Sequence, residues 1–152
     1  MSTSRNFRSF AIAIVFAALF AGCAANSTAP VTPPVPTPPQ ITAANAVNAL
    51  AQTLDATITT LRAARDQGKL AARDVAAAET VAAIIATAGK QIDAELKSAD
   101  PWATQKTAIL KIITGSGLQG AMANLPTSVG SYIAAAVALF DQVSSTVGGP
   151  TI

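Results

Sequence analysis

Residues 47–61 read Val47-Asn48-Ala49-Leu50-Ala51-Gln52-Thr53-Leu54-Asp55-Ala56-Thr57-Ile58-Thr59-Thr60-Leu61. The large apolar side chains Val47, Leu50, Leu54, Ile58 and Leu61 recur at intervals of 3, 4, 4 and 3. That is the period of one face of an α-helix and not the alternation of a strand. Asn45, Asn48, Gln52 and Asp55 supply polarity on the rest of the surface. Thr42 is the expected N-cap, and Gly68, following Arg62 and Arg65, is the expected stop. The first helix is therefore expected over 42–66.

Downstream the same period returns after the short Gln67-Gly68-Lys69 break. Val75, Ala78, Ala82, Ile85, Ala88 (or Gly89), Ile92 and Leu96 form a second stripe, and so short a connection favours an antiparallel helical hairpin. Alanines on the inner face allow two backbones to approach closely, and Gly89 costs about 1 kcal/mol inside a helix. Asp100-Pro101 reads as an N-cap followed by proline at the first helical position. Trp102, Ile109, Leu110 and Ile113 would then face the core until Gly115. A short helical piece from Leu118 to Asn124 precedes Pro126, and Ser128 or Ser131 opens the last helix. Its buried stripe is Ile133, Val137, Phe140, Val143 and Val147, and Gly148-Gly149-Pro150 ends it. The expected fold is all-α: a helical hairpin plus two further helices, bundle-like, over residues 41–152.

Composition narrows what such a domain does. Of 152 residues 51% are apolar and only 12% charged, against about 25% charged in ordinary soluble domains. Phe7, Phe10, Phe16 and Phe20 all precede Cys23, so the chain beyond it keeps Phe140, Trp102 and Tyr132 as its aromatics. The core must come from Leu, Ile, Val and Ala. The net charge of +2 is contributed by Arg5 and Arg8, near the N-terminus, and the remainder is balanced. A neutral domain offers no electrostatic footprint for nucleic acid or anionic lipid. Histidine is absent, which removes the commonest metal ligand and general base. One cysteine permits no intrachain disulfide.

The N-terminal segment has its own logic. A short stretch with Arg5 and Arg8 precedes an apolar run, Ser9 to Phe20, and then Ala21-Gly22-Cys23. Basic, apolar and small-residue parts in that order make a secretory signal peptide. The charge-free run from Ser9 to Ala25 stands at the lower edge of a bilayer span, and the arginines keep its N-terminal side in the cytoplasm. Phe20-Ala21-Gly22-Cys23 resembles the lipobox of bacterial lipoproteins, with Phe20 where leucine is usual and Leu19 one place earlier. The resemblance implies that residues 1–22 are removed and that Cys23 carries diacylglycerol at the new N-terminus. Cleavage after Ala25 without lipidation, or an uncleaved or buried cysteine, is the alternative. Ala24, where the enterobacterial sorting rule places Asp for inner-membrane retention, implies the periplasmic face of the outer membrane. Residues 23–40 then form a tether, with Pro30, Pro33, Pro34, Pro36, Pro38 and Pro39. Such proline density suits an extended spacer, and residues 24–40 could reach roughly 50 Å. A proline-rich docking ligand is the sharper reading of the same residues. The whole layout resembles small alanine-rich lipoproteins encoded by phages and prophages, which implies a role in lysis, as for outer-membrane spanins, or in superinfection exclusion.

Catalytic chemistry is sparse. Gly115-Ser116-Gly117-Leu118-Gln119-Gly120 is a literal G-x-G-x-x-G, preceded by Ile109-Leu110-Lys111-Ile112-Ile113 and followed by Asp141 about 20 residues on, as in a dinucleotide site. Pro126 and Gly130 interrupt the helix such a site needs, and the residues before it read as helix and not as parallel sheet. An interhelical loop is the simpler reading. Asp93 and Glu95 are two apart and so not on one helix face. Asp66 and Asp74 flank the hairpin turn as solvated charge, and no serine has an imidazole partner. Tyr132–Phe140 is too short to cross a bilayer. No catalytic residue, metal or cofactor is expected. The function expected is that of a membrane-anchored, non-enzymatic envelope lipoprotein whose helical domain engages another protein or its own copies. A cell-wall or lipid hydrolase and a carrier of apolar ligands are the competing readings.

Overall fold

The computed structural model describes residues 35–152. These form five helices, α1 (Pro38–Asp66), α2 (Ala72–Leu96), α3 (Trp102–Gly115), α4 (Leu118–Ala123) and α5 (Thr127–Val147), with no strand among the described residues. The all-α, bundle-like fold expected from the periodicity is what the described residues adopt.

Two clusters of contacts set the helix directions. Leu61, Val75, Ala78 and Val129 pack together, so the end of α1 meets the beginnings of α2 and α5. At the other pole Gln40 near the start of α1 bonds Gln105 near the start of α3. The legs therefore run up, down, up, down, and the third leg is broken. α3 supplies one half of it and the six-residue α4 the other, with the Gly115–Gly117 break between them. α1 packs on α2 and most extensively on α5. Helix α2 also reaches α5 across the bundle, and this is the near diagonal. The sequence explains the flattening: α2 turns Ala78, Ala82 and Ala88 inward, and small side chains let the backbones close up.

The main core holds Leu50, Leu54, Ile85, Ile92, Ile109, Ile113, Leu118, Ile133 and Phe140, with alanines filling between them. Among the described residues Phe140 is the one fully buried aromatic, and Trp102 and Tyr132 are only partly covered. Burying large aliphatic side chains stabilises by about 1.5–3 kcal/mol each, and alanine contributes much less. The interior thus rests on the Leu, Ile and Val stripes read from the sequence. Leu110 and Leu96 pack against it while half-buried. Gly89 is buried where α1 and α2 touch, and a Cβ added there would lie 3.4 Å from Leu50 Cδ2.

Several helix ends differ from the expectation. α1 begins at Pro38, not after Thr42, so its first turn lies inside the stretch expected to be extended tether. Pro38 and Pro39 occupy the first helical positions, where no N–H is needed for an intrahelical bond. Thr37 is the N-cap in a capping box with Gln40. Gln40 Oε1 accepts from the Thr37 N–H (2.6 Å) and hydroxyl (2.9 Å). Thr42, already helical, donates its hydroxyl to the Pro38 carbonyl. Similarly, Pro101 and Pro126 are themselves the N-caps of α3 and α5, displacing Asp100 and the serines from that role. Each holds an extended backbone (ψ 146° and 140°) and lends its carbonyl to the first turn, which proline does as well as any residue. The stops at Gly68 and Gly148 are as expected. Both take the left-handed conformation, with φ +70° and +74°. In each the glycine N–H bonds three residues back and the next N–H five back, Lys69 to Ala64 and Gly149 to Ser144, which is a Schellman closure.

After α5 the chain turns back on itself. Ser144 Oγ donates to the Pro150 carbonyl (2.7 Å), the Ile152 N–H donates to Asp141 Oδ1 (2.8 Å), and Ile152 packs on the main core.

Candidate functional site

Every residue singled out from the sequence as a site, Phe20, Ala21, Gly22 and Cys23, lies outside the described residues. What the structure positions is the surface of the helical domain, and its chemistry follows from the residue types on it.

That surface is polar without being highly charged. Thr59, Thr60, Thr80, Thr87, Thr107 and Thr114 each donate a hydroxyl to the carbonyl four residues earlier on their own helix. A threonine bonded this way turns its methyl group outward with its donor already used. Between such threonines stand exposed alanines such as Ala51, Ala76 and Ala83. Ionic groups pair locally. Arg62 bonds Glu79 (2.7 Å) across the α1–α2 hairpin, Arg65 bonds Asp66 (2.9 Å), Arg73 lies 3.4 Å from Asp74, and Lys97 bonds Asp93 (2.6 Å). Asp74 also accepts from the Ser128 hydroxyl, tying the hairpin to the start of α5. Asp66 pairs only with its chain neighbour and stays largely exposed, Asp74 links α2 to α5, and Asp93 is engaged one helical turn along its own helix. Among the described residues no three of His, Cys, Asp or Glu converge to hold a metal ion.

The Gly115–Gly120 motif forms no strand–turn–helix cradle. Gly115 ends α3, Gly117 adopts φ +73° and opens α4, and Gly120 lies within α4. Ser116 closes the break by donating to the Ile113 carbonyl (2.7 Å) and accepting from the Leu118 N–H (3.3 Å). The glycines serve to break the third leg, as the interhelical-loop reading expected.

Sequence reading missed the buried polar cluster at the opposite pole. Gln105 is 1% exposed. Its Oε1 accepts from Gln40 Nε2 (2.8 Å), and its Nε2 donates to the Ser98 carbonyl (3.1 Å) and lies 3.3 Å from the Ser98 hydroxyl. Since Gln40 also closes the capping box, one network fastens the first turn of α1 to the α2–α3 connection. A signal was present: Gln105 sits between Trp102 and Ile109 at the spacing of the buried stripe, where an apolar residue belongs. No described buried side-chain nitrogen or oxygen lacks a partner.

Shallow grooves run between the helices. One of about 620 Å³ lies between α2 and α3 over Ile84, Ala88 and Ile112, with Lys111 its one charged lining residue. Another of about 370 Å³ follows α1 and α2 over Leu50, Leu54, Ala86 and Gly89, with Asp55, Lys90 and Asp93 along it. Neither brings together a nucleophile and a base, and both offer apolar floors, with one charged residue beside the first and three along the second. Helix α2 is the one described helix long and apolar enough to cross a membrane, at a mean hydropathy of 1.2. Its apolar stripe from Val75 to Ile92 is buried against its neighbours, which accounts for that composition.

Comparison of the chain with protein-family models, with characterised proteins and with solved structures finds no match.

Proposed function

We propose that the chain is a lipid-anchored cell-envelope lipoprotein whose helical domain is a non-enzymatic interaction module. The observation that carries this reading is the position of the only cysteine, directly after a charge-free apolar run and the small residues Ala21 and Gly22. The anchor is the diacylglycerol on Cys23, at the periplasmic face of the outer membrane, and the proline-rich residues 24–37 are the spacer. With Pro38 to Gln40 taken into α1, that spacer reaches about 40 Å at polyproline pitch. A domain whose grooves are apolar-floored and half of whose charged side chains are paired with one another suits contact with another protein surface better than turnover of a substrate. The test is metabolic palmitate labelling with cell fractionation, comparing the wild type with Cys23→Ser. Labelled wild type in the membrane fraction and an unlabelled variant are expected. Equal labelling of the two, or an unlabelled wild type, overturns the proposal.

A further inference from the structure

We propose that the groove between α1 and α2 is the seat of a second copy of this chain, forming a twofold dimer. The inference rests on the reading of the domain as an interaction module and names its partner.

The hairpin register defines the groove. Gly89 stands opposite Leu50, and Arg62 opposite Glu79, so α1 and α2 run antiparallel with their small residues at the level of contact. The floor is apolar, from Leu50, Leu54, Ala86 and Gly89. Ala51 beside it is exposed and Ala86 half-exposed, so an incoming helix meets small side chains at the middle of the groove, with the half-buried Ile58 toward one end. Two charges of opposite sign border this floor, Lys90 on α2 and Asp55 on α1. Neither belongs to an ion pair among the described residues, although four other pairs do form on this small surface. The third charge along the groove, Asp93, is already held by Lys97.

Their placement is self-complementary. Lys90 lies level with the Leu50–Gly89 contact, and Asp55 is five residues beyond Leu50 toward the hairpin turn, about 7 Å along the axis. A twofold axis lying obliquely in the plane of the groove, midway between Lys90 and Asp55, exchanges both its ends and its two walls. It sets Lys90 of each copy beside Asp55 of the other, giving two ion pairs around an apolar centre, as an isologous interface requires. The larger α2–α3 groove lacks this property: its single charge is Lys111, and a twofold there would bring lysine to lysine. The described residues carry equal numbers of basic and acidic side chains, so no net repulsion opposes pairing.

The test is sedimentation of the full chain in mild detergent under reducing conditions, which keeps Cys23 from forming a disulfide between copies. The wild type is compared with Lys90→Asp, Asp55→Lys and the double reversal. Both positions are exposed, and unchanged circular dichroism melts will show that each variant folds. Either single reversal sets like charges together twice and should weaken the dimer by about tenfold or more, while the double reversal restores it to within about threefold. A wild type that stays monomeric at about 0.1 mM overturns the proposal and leaves the groove to a different partner or to none. A dimer indifferent to the single reversals, or one the double reversal fails to restore, overturns it equally. Sedimentation reads association whether or not Cys23 is acylated, so failure here and failure of the palmitate test fall on different claims.

Discussion

Replacing Gln105 with leucine probes whether the polar network at the start of α1 holds that pole of the bundle together. Leucine is close to glutamine in volume, so the change removes hydrogen bonds without opening a large cavity. It takes away an acceptor at 2.8 Å from Gln40 Nε2 and a donor at 3.1 Å from the Ser98 carbonyl, at a position 1% exposed. Each such bond contributes about 0.5–1.5 kcal/mol net, and more when its partner is left buried and unmatched. Gln40 is only part-buried and recovers water, and the added apolar group offsets part of the loss. The expected destabilisation is about 1–2 kcal/mol, or a fall in Tm of about 4–10 °C for a domain of this size. Thermal unfolding by circular dichroism measures it. Hydrogen exchange locates it, with faster exchange expected at the amides of Ile41 to Val47 than in α5. Combining Gln105→Leu with Gln40→Ala should lower stability by less than the two single changes summed, because the second partner is already lost. A Gln105→Leu protein that melts at or above the wild-type temperature, with unchanged exchange at the start of α1, would refute the reasoning.

Further substitutions test the packing directly. Gly89→Ala should stabilise by about 0.5–1 kcal/mol in urea denaturation, since helix propensity improves and the new Cβ meets a flexible Leu50 methyl at 3.4 Å; a loss of more than 1 kcal/mol would mean that α1 and α2 tolerate no added volume there. Gly149→Ala should destabilise by roughly 1–3 kcal/mol and release the C-terminal turn, because its methyl would overlap Ser144 Oγ and approach the Ser144 carbonyl to 3.2 Å. Phe140→Ala removes the largest fully buried side chain among the described residues and should cost about 3–5 kcal/mol, read as a shift of the urea midpoint.

The proposed anchor and the grooves differ in how far the sequence exposes them. Cys23 is legible because its signal is one-dimensional, a fixed order of basic, apolar and small residues ending in the only thiol of the chain. Lys90 and Asp55 are 35 positions apart and neither belongs to a motif. Only the hairpin register, set by Leu50 against Gly89, lays them along one groove. Gln105 is an intermediate case. Its place within a buried stripe is visible in the sequence, but its partner Gln40, 65 residues away, is not.

What the sequence by itself determined is the helices and their inner faces. Spacing from Val47 to Leu61, from Val75 to Ile92 and from Ile133 to Val147 is local information, and the glycines at 68 and 148 terminate helices through their own backbone freedom. The helix starts at Pro38, Trp102 and Thr127 were shifted by one to four residues from the expected ones, because proline serves as both cap and first residue while serine, threonine and aspartate only compete for the role. Only the tertiary structure decided which helices touch. Alanine-rich faces are nearly alike in hydrophobicity, so the sequence does not rank α2–α5 above α1–α3 as the near diagonal. Closest approach of backbones settles that choice, where Ala78, Ala82, Ala88 and Gly89 leave α2 thin enough to sit against its neighbours.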